Sequence, residues 1–323
     1  MGLDLKAKID DVVTPDLKKK VAAWWHGVDV DELDWPEAVI DDGDAAGGMV
    51  SDEEAALDPF SAEYDLGHFI RVSQEVWGKG FTTPGGAGFI DEWGQQLSLN
   101  KEKSAAFFGS ALGGQARELS KSTGCWVTGY ERLPELVEEG ADQANMAGMT
   151  KNASSEYYDP ESLELDEDKF HAVVAKEEFT FVSDKGRMID QIAGSLKANG
   201  LFMFTDYVSV NADASAGDLD GWFGTQLGSA SLWTEQDYVS KLEAAGLDIH
   251  VNEDFSDRYA EFIASGWKRY RDIVTDLRVG SGSDQEKACL LHLVADAAEH
   301  WTRIAVSLGS GELQVRRFLA RKV

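Results

Sequence analysis

Cysteine is nearly absent from this 323-residue chain: Cys125 and Cys289 are the only two, and they lie far apart. A disulfide framework is therefore not expected, and a reducing cytoplasm is the expected setting. Long apolar runs are missing as well. None approaches the roughly 18 residues that a membrane span needs, and the opening stretch MGLDLKAKIDDVVTPDLKKK is charged where a secretory signal would be apolar. Basic residues are few, 30 Lys and Arg against 58 Asp and Glu, which leaves a formal charge of −28. A field of that sign repels a phosphate polymer and an anionic membrane surface, so nucleic acid is not an expected partner. Ordinary solubility or a salty habitat accounts for the excess. A cationic substrate or partner steered by the field is the alternative.

The chain is rich in core-forming residues: 43% are hydrophobic, with 10 Trp and 15 Phe. That is enough for one large α/β domain or two smaller ones. Residues 1–60 read as an acidic, mostly helical extension in which DDGDAAGGMVSDEE (Asp41 to Glu54) is a solvated joint. From 61 to 323 the pattern is regular. Strands are expected at Ala105–Phe108, Trp126–Tyr130, His171–Ala175, Leu201–Thr205, Asp248–Asn252 and Val315–Ala320. Helices are expected at Gln115–Lys121, Pro134–Met146, Asp184–Lys197, Glu235–Ala245 and Asp284–Val306. Strands alternating with helices of this length indicate crossover units. The expected fold is α/β: a Rossmann-like, doubly wound, mostly parallel sheet with an antiparallel C-terminal edge strand. A helical insertion rich in Trp and Tyr is expected to cap it over about 215–280. No internal repeat is present.

In such a sheet a ligand lies across the carboxyl ends of the strands, at the switch point. The turn after the first strand is GSALGG, Gly109 to Gly114, where missing side chains let a ligand approach the backbone. Glu131, ending the second strand, is placed to accept ribose hydroxyls. Asp159, in YYDPESLEL, is placed to accept from an adenine amino group. Taken alone, Gly113 and Gly114 read equally well as packing glycines. The turn lacks the Gly-Lys-Ser/Thr ending of a P-loop and the G-x-G-x-x-G spacing of the dinucleotide fingerprint. A cofactor with adenosine and no pyrophosphate fits better, and S-adenosylmethionine is such a molecule.

With these residues the chain resembles the class I S-adenosylmethionine-dependent methyltransferases, most closely the phosphoethanolamine N-methyltransferase branch, over about residues 62–323. EVWGKGFTTPGG (Glu75 to Gly86) is similar to the branch's cofactor-covering lid. FHAVVAKEEFTFV, LKANGLFMFTDYV and LWTEQDYVSKLEAAGLDI resemble its fourth strand, fifth strand and following helix. The resemblance implies cofactor contacts at Thr83 and Gly85 in the lid, at Gly109, Ser110, Glu131 and Asp159, and around the backbone of Lys176. It also shows departures. Phe107 stands where the family has an aspartate for the cofactor's amino-acid end, and Ala111 replaces a second glycine.

Methyl transfer asks that nucleophile and methyl be held in line in a dry site, and a protonated nucleophile also needs a base. The branch latches its site with a tyrosine before the lid and a histidine after the fourth strand. Phe181 stands at the histidine's place. Tyr64 lies within one residue of the tyrosine's place, with His68 one helical turn later; the pair is a replacement base or an ordinary surface pair. Glu177 matches an acidic position at the pocket floor, the competing reading being a solvated acid beside Glu178. Tyr207 is the pocket tyrosine retained. WFGTQLGSASLW and RIAVSLGSG hold no base where the branch places its phosphate-binding arginine and lysine, so a phosphorylated acceptor would be desolvated unpaired. His292, Asp296 and His300 are spaced as metal ligands on a helix could be, yet a surface role suits them better and no metal is expected. The function expected is methyl transfer to a small non-phosphorylated N, S or O acceptor. The alternative is a catalytically inactive relative, a binding or regulatory subunit that meets a protein partner through residues 1–60.

Overall fold

In a computed structural model the described residues are 62–210 and 230–323. The expected extension, 1–60, and the first part of the expected cap lie outside them. The chain divides into two compact units. The described part of one is 62–72 with 264–302; the other comprises 73–263 and 303–323.

The second unit carries the sheet. Its strands are β1 (Ser104–Phe108), β2 (Trp126–Glu131), β3 (Ala153–Tyr157), β4 (Phe170–Lys176), β5 (Leu196–Ser209), β6 (Trp233–Thr234), β7 (Leu247–Asp254) and β8 (Leu313–Lys322). They lie in the order β3-β2-β1-β4-β5-β8-β7, with the short β6 pairing β5. Strands β3, β2, β1, β4 and β5 are mutually parallel. Strand β8 is antiparallel, as expected, but it is inserted between β5 and β7, so the marginal strand on that side is β7. The connecting helices are α1 (Ala62–Trp77), α2 (Gly86–Gln96), α3 (Gly114–Thr123), α4 (Pro134–Met146), α5 (Lys185–Ser195), α6 (Glu235–Ala244), α7 (Ser256–Trp267), α8 (Tyr270–Val279) and α9 (Asp284–Ser310). Within the stretch expected to form a helical cap, residues 233–254 instead hold β6, α6 and β7, and helices α7 and α8 follow. None of the described helices is long and apolar enough to cross a membrane.

Local chemistry accounts for the boundaries. Pro134 opens α4, where its missing N–H costs nothing. Asp184 caps α5 by accepting from the Arg187 amide. Thr234 and Asp237 form a reciprocal capping box on α6. Gly124 ends α3 in the left-handed region at φ 77°. Central strands are apolar on both sides because helices cover both faces. Ala106, Phe108, Val173, Ala175, Phe202 and Phe204 share one core cluster with Met188, Ile189 and Ile192 of α5. The alternation of side chains places Phe107, Val174, Lys176, Thr205 and Tyr207 on the opposite face.

One carboxylate is sunk into the first face. Asp206, in β5, is fully buried. It accepts from the Thr180 amide at 3.3 Å and hydroxyl at 3.0 Å, and from the Tyr238 hydroxyl. Burial pushes its pKa up to about 7 despite the Tyr238 hydrogen bond and nearby Lys185.

In the first unit, Ile273 and Leu277 of α8 and Leu290 and Val294 of α9 are buried. Arg71 pairs with Glu286 at 3.2 Å. Cys125 and Cys289 are both free thiols and both buried.

Candidate active site

The strand order reverses between β1 and β4, so the switch point lies at their carboxyl ends. The turn leaving β1 departs from ordinary backbone. Gly109 has φ 71° and Gly113 φ 70°, and Ala111 holds φ 47° although it carries a Cβ. A non-glycine residue in this region costs about 1–2 kcal/mol, so the turn keeps its shape with alanine where the resembled family has glycine. Gly109 also needs its missing side chain, because a Cβ there would stand 2.8 Å from Glu178 Oε2 and 2.9 Å from the Lys176 carbonyl. The Ser110 hydroxyl is buried and turned onto β2, 2.8 Å from where a Cβ on Gly129 would lie.

Glu131, at the end of β2, is 5% exposed and reaches under this turn. Its Oε2 accepts from the Ala111 amide at 2.8 Å; its Oε1 accepts from the amides of Arg132 at 2.7 Å and Leu133 at 3.2 Å. A carboxylate offers roughly four lone-pair positions, so about one stays open. Burial first, and the nearby Glu178 second, push the Glu131 pKa up to about 7.

Glu178 follows β4 and is buried. Its Oε1 accepts from the Tyr158 hydroxyl and pairs with Arg132 Nε at 2.7 Å. Arg132 also donates to the Phe181 carbonyl at 3.1 Å and lies 5.7 Å from the Phe181 ring centroid. Residues from β2, β3 and β4 thus meet across the end of β1. Burial raises the Glu178 pKa, opposed by Arg132 and the Tyr158 hydrogen bond.

A second network stands at the ends of β4 and β5. Lys176 Nζ donates to Glu177 Oε2 at 2.7 Å and to the Thr83 hydroxyl at 2.6 Å, and it lies 5.8 Å from the Tyr259 ring centroid. Thr205 donates to Glu177 Oε1 at 2.7 Å. Tyr207 and Tyr259 share a hydrogen bond of 3.1 Å between their hydroxyls. Glu177 is held at φ 48°, a strained conformation of the kind that collects at functional sites. Burial first, then the charge of Glu177, holds both tyrosine hydroxyls neutral.

The structure therefore brings Thr83, Lys176, Glu177 and Tyr207 together, and brings Gly109, Ser110 and Glu131 together beside them. Gly85, at φ 107°, opens α2 against Phe89. Asp159 does not join either group. It is exposed, and its oxygens accept from the Glu161 amide at 3.0 Å and the Ser162 hydroxyl at 2.8 Å, closing a turn after β3. Phe107 is fully buried on the face that also carries Lys176. His68 belongs to the other unit, on α1, and the side chain of Tyr64 lies outside the described residues. Among the described residues no three His, Cys, Asp or Glu side chains are grouped as a metal site. Sequence pattern had not pointed to Arg132, Tyr158, Glu178, Thr205 or Tyr259. Their only signal is a place just past a strand's end, or for Thr205 within β5 and for Tyr259 within α7.

The segment expected to form a lid, Glu75 to Gly86, is fastened to the glycine turn. The Gly114 amide donates to the Gly80 carbonyl at 3.0 Å, and a Cβ on Gly114 would stand 2.2 Å from that oxygen. Arg117 braces the joint by donating to Gln143 Oε1 at 2.8 Å and to the Leu112 carbonyl at 2.9 Å. Gly114→Ala should therefore push residues 78–83 off α3 and lower stability by about 1–3 kcal/mol. Thermal unfolding with limited proteolysis checks this; an unchanged midpoint and an uncut lid would contradict it.

No protein-family model matches the chain. It is 25% identical over 179 residues to a sterol 24-C-methyltransferase of Yarrowia lipolytica, covering 52% of this chain and 47% of that protein. The chain thus spans about half the length of that curated relative. A structure of phosphoethanolamine N-methyltransferase 2 from Haemonchus contortus with S-adenosyl-L-methionine superposes with a TM-score of 0.66 at 16% identity. It covers 81% of this chain and 58% of that one. The [4+2]-cyclase SpnF superposes at 0.60 and 17% identity, covering 79% of this chain and 93% of that one. The sheet order, the glycine turn and these superpositions agree: this chain has the fold of the class I S-adenosylmethionine-dependent methyltransferases.

Proposed function

We propose that the protein is an S-adenosylmethionine-dependent methyltransferase acting on a small, non-phosphorylated N, S or O nucleophile. The observation that carries this reading is the buried Glu131 carboxylate at the end of β2, tied to the Ala111 amide of the glycine turn and keeping about one acceptor position. Residues that would hold the cofactor are Glu131, for a ribose hydroxyl, and the backbone of Gly109 to Ala111. The resemblance adds Thr83 and Gly85 from the lid. The cofactor supplies a methyl group on a sulfonium centre.

The chain's part is to bind, orient and dry the reactants. Tyr207, Tyr259 and Glu177 form a buried polar wall against which an acceptor's N–H or O–H can be oriented, with Glu177 as the group that takes its proton. A non-phosphorylated acceptor is supported by the commitments of two cations at these strand ends, Lys176 and Arg132. Lys176 is paired with Glu177 and Arg132 with Glu178, so a phosphate at these strand ends would compete with both carboxylates.

A second reading is a binding or regulatory subunit without turnover, and Phe107 favours it. Its fully buried ring removes a carboxylate that the resemblance assigns to the cofactor's amino-acid end, and the fold also serves a cyclase. A protein partner met through residues 1–60 belongs to this second reading.

Titration calorimetry with S-adenosylmethionine and S-adenosylhomocysteine separates these readings. Binding of both, followed by methyl transfer in a panel of small amines, thiols and alcohols, supports the enzyme. Binding without transfer supports the subunit. No heat and no thermal shift at millimolar ligand would remove the enzyme reading.

A further inference from the structure

We propose that Glu178 is the second carboxylate of the nucleoside site, its Oε2 receiving an N–H or O–H donor of the ligand above Gly109. This is the role expected of Asp159, and the inference rests on the reading of the site as an adenosyl pocket. Three observations carry it.

Asp159 stands in solvent rather than at the buried strand ends. It is exposed, and its oxygens accept from its own turn, one from the Glu161 amide and the other from the Ser162 hydroxyl.

Glu178 is placed where Asp159 is not. It is 5% exposed and stands just past β4, a strand that flanks the switch point. Its Oε2 lies 2.8 Å from where a Cβ of Gly109 would be. The glycine turn that lets a ligand come close is thus overlooked by a carboxylate oxygen.

Glu178 is also half satisfied. Oε1 takes both the Tyr158 hydroxyl and Arg132 Nε, which fix the carboxyl in one orientation. Among the described residues no hydrogen bond reaches Oε2. A buried carboxylate oxygen aimed over a ligand turn calls for a donor. The neighbouring Glu131 carries the same sign and keeps about one acceptor position open. The ends of β2 and β4 therefore present acceptors from two carboxylates against the guanidinium of Arg132. An adenosyl group brings the matching set, two ribose hydroxyls and an exocyclic amine. Tyr158 and Arg132 act as positioning residues, since they hold Glu178 and not the ligand.

The test is calorimetry with S-adenosylhomocysteine and with adenosine on the intact chain, comparing wild type with Glu178→Gln, Asp159→Asn and Tyr158→Phe. Glu178→Gln should weaken both ligands about tenfold or more, and Asp159→Asn should leave them unchanged. Tyr158→Phe keeps the carboxylate but frees its orientation, so it should give a smaller loss with no change in which ligands bind. It also stands in should Glu178→Gln fail to fold, as judged by thermal unfolding. Unchanged or tighter binding in Glu178→Gln, or a loss confined to Asp159→Asn, would overturn the assignment while leaving the adenosyl pocket intact. If wild type binds neither ligand, the pocket reading itself falls and takes this role with it.

Discussion

Asp206→Ala should destabilise the protein by about 3–5 kcal/mol, the cost expected when one partner of a buried, hydrogen-bonded charge network is removed. The change strands the Thr180 amide and the Thr180 and Tyr238 hydroxyls in the core of the first sheet face, and it leaves Lys185 without its nearest counter-charge. Asp206→Asn keeps an acceptor and should cost less. The two differ most in their pH dependence. The folded-state pKa of Asp206 is pushed up to about 7 from 3.8. On unfolding, the group loses its proton at lower pH, so between about pH 4 and pH 7 the native state holds more protons. Stability must then fall as pH rises through this window and level off above it. A shift of this size is worth on the order of 4 kcal/mol in the limit. Glu131, likewise raised to about 7, adds a contribution of the same sign. Denaturant midpoints should therefore be higher at pH 5 than at pH 8, and Asp206→Asn should flatten the slope. Equal midpoints at the two pH values would contradict the assignment.

Glu131→Ala should weaken S-adenosylhomocysteine by roughly ten- to a hundredfold, since a hydrogen bond to a charged group contributes about 1.5–3 kcal/mol. The loss has two sources. The acceptor for a ribose hydroxyl disappears, and the Ala111 amide that Glu131 holds from below is released, loosening the turn that keeps φ 47° at an alanine. The wild-type affinity should itself follow pH. A ribose hydroxyl donates to the ionised carboxylate, so binding should tighten as pH rises towards 7 and become constant above it. The groups facing Glu131 are Glu178, which raises its pKa, and Arg132, which opposes that. Calorimetry at pH 6, 7 and 8 reads the profile, which should be lost in Glu131→Ala. An unchanged affinity in the variant would place the site elsewhere.

The sheet was largely legible in the residues. Runs such as AAFF, HAVVA and LFMF are apolar on both faces, a pattern that leaves little choice but a central parallel strand. Helix ends were legible where the residue itself imposes them, as at Pro134. Strand β3 was not. Its sequence is ASSEY, only Ala153 is buried, and a marginal strand needs no apolar alternation to pair with β2. The inward position of β8 was also hidden, because its direction follows from composition and connection length while its neighbours follow from packing. In the site, Gly109 and Glu131 could be found because both stand at fixed distances from a strand end. Asp159 could not be told from Glu178 in this way. Which acid is buried depends on Arg132 and Tyr158, 46 and 20 residues before Glu178 in sequence, and no local pattern records that meeting.

The place of β8 bears on how the chain is made. Translation delivers β1 to β5 first, and these can zip together as a parallel platform while the rest is still emerging. Strand β7 then leaves the ribosome with no strand beside it, because the slot between it and β5 belongs to residues 313–322. An unpaired strand waiting some sixty residues for its neighbour is open to chaperones and to mispairing with other nascent chains. Closing the sheet on this side is therefore an insertion into the gap between β5 and β7.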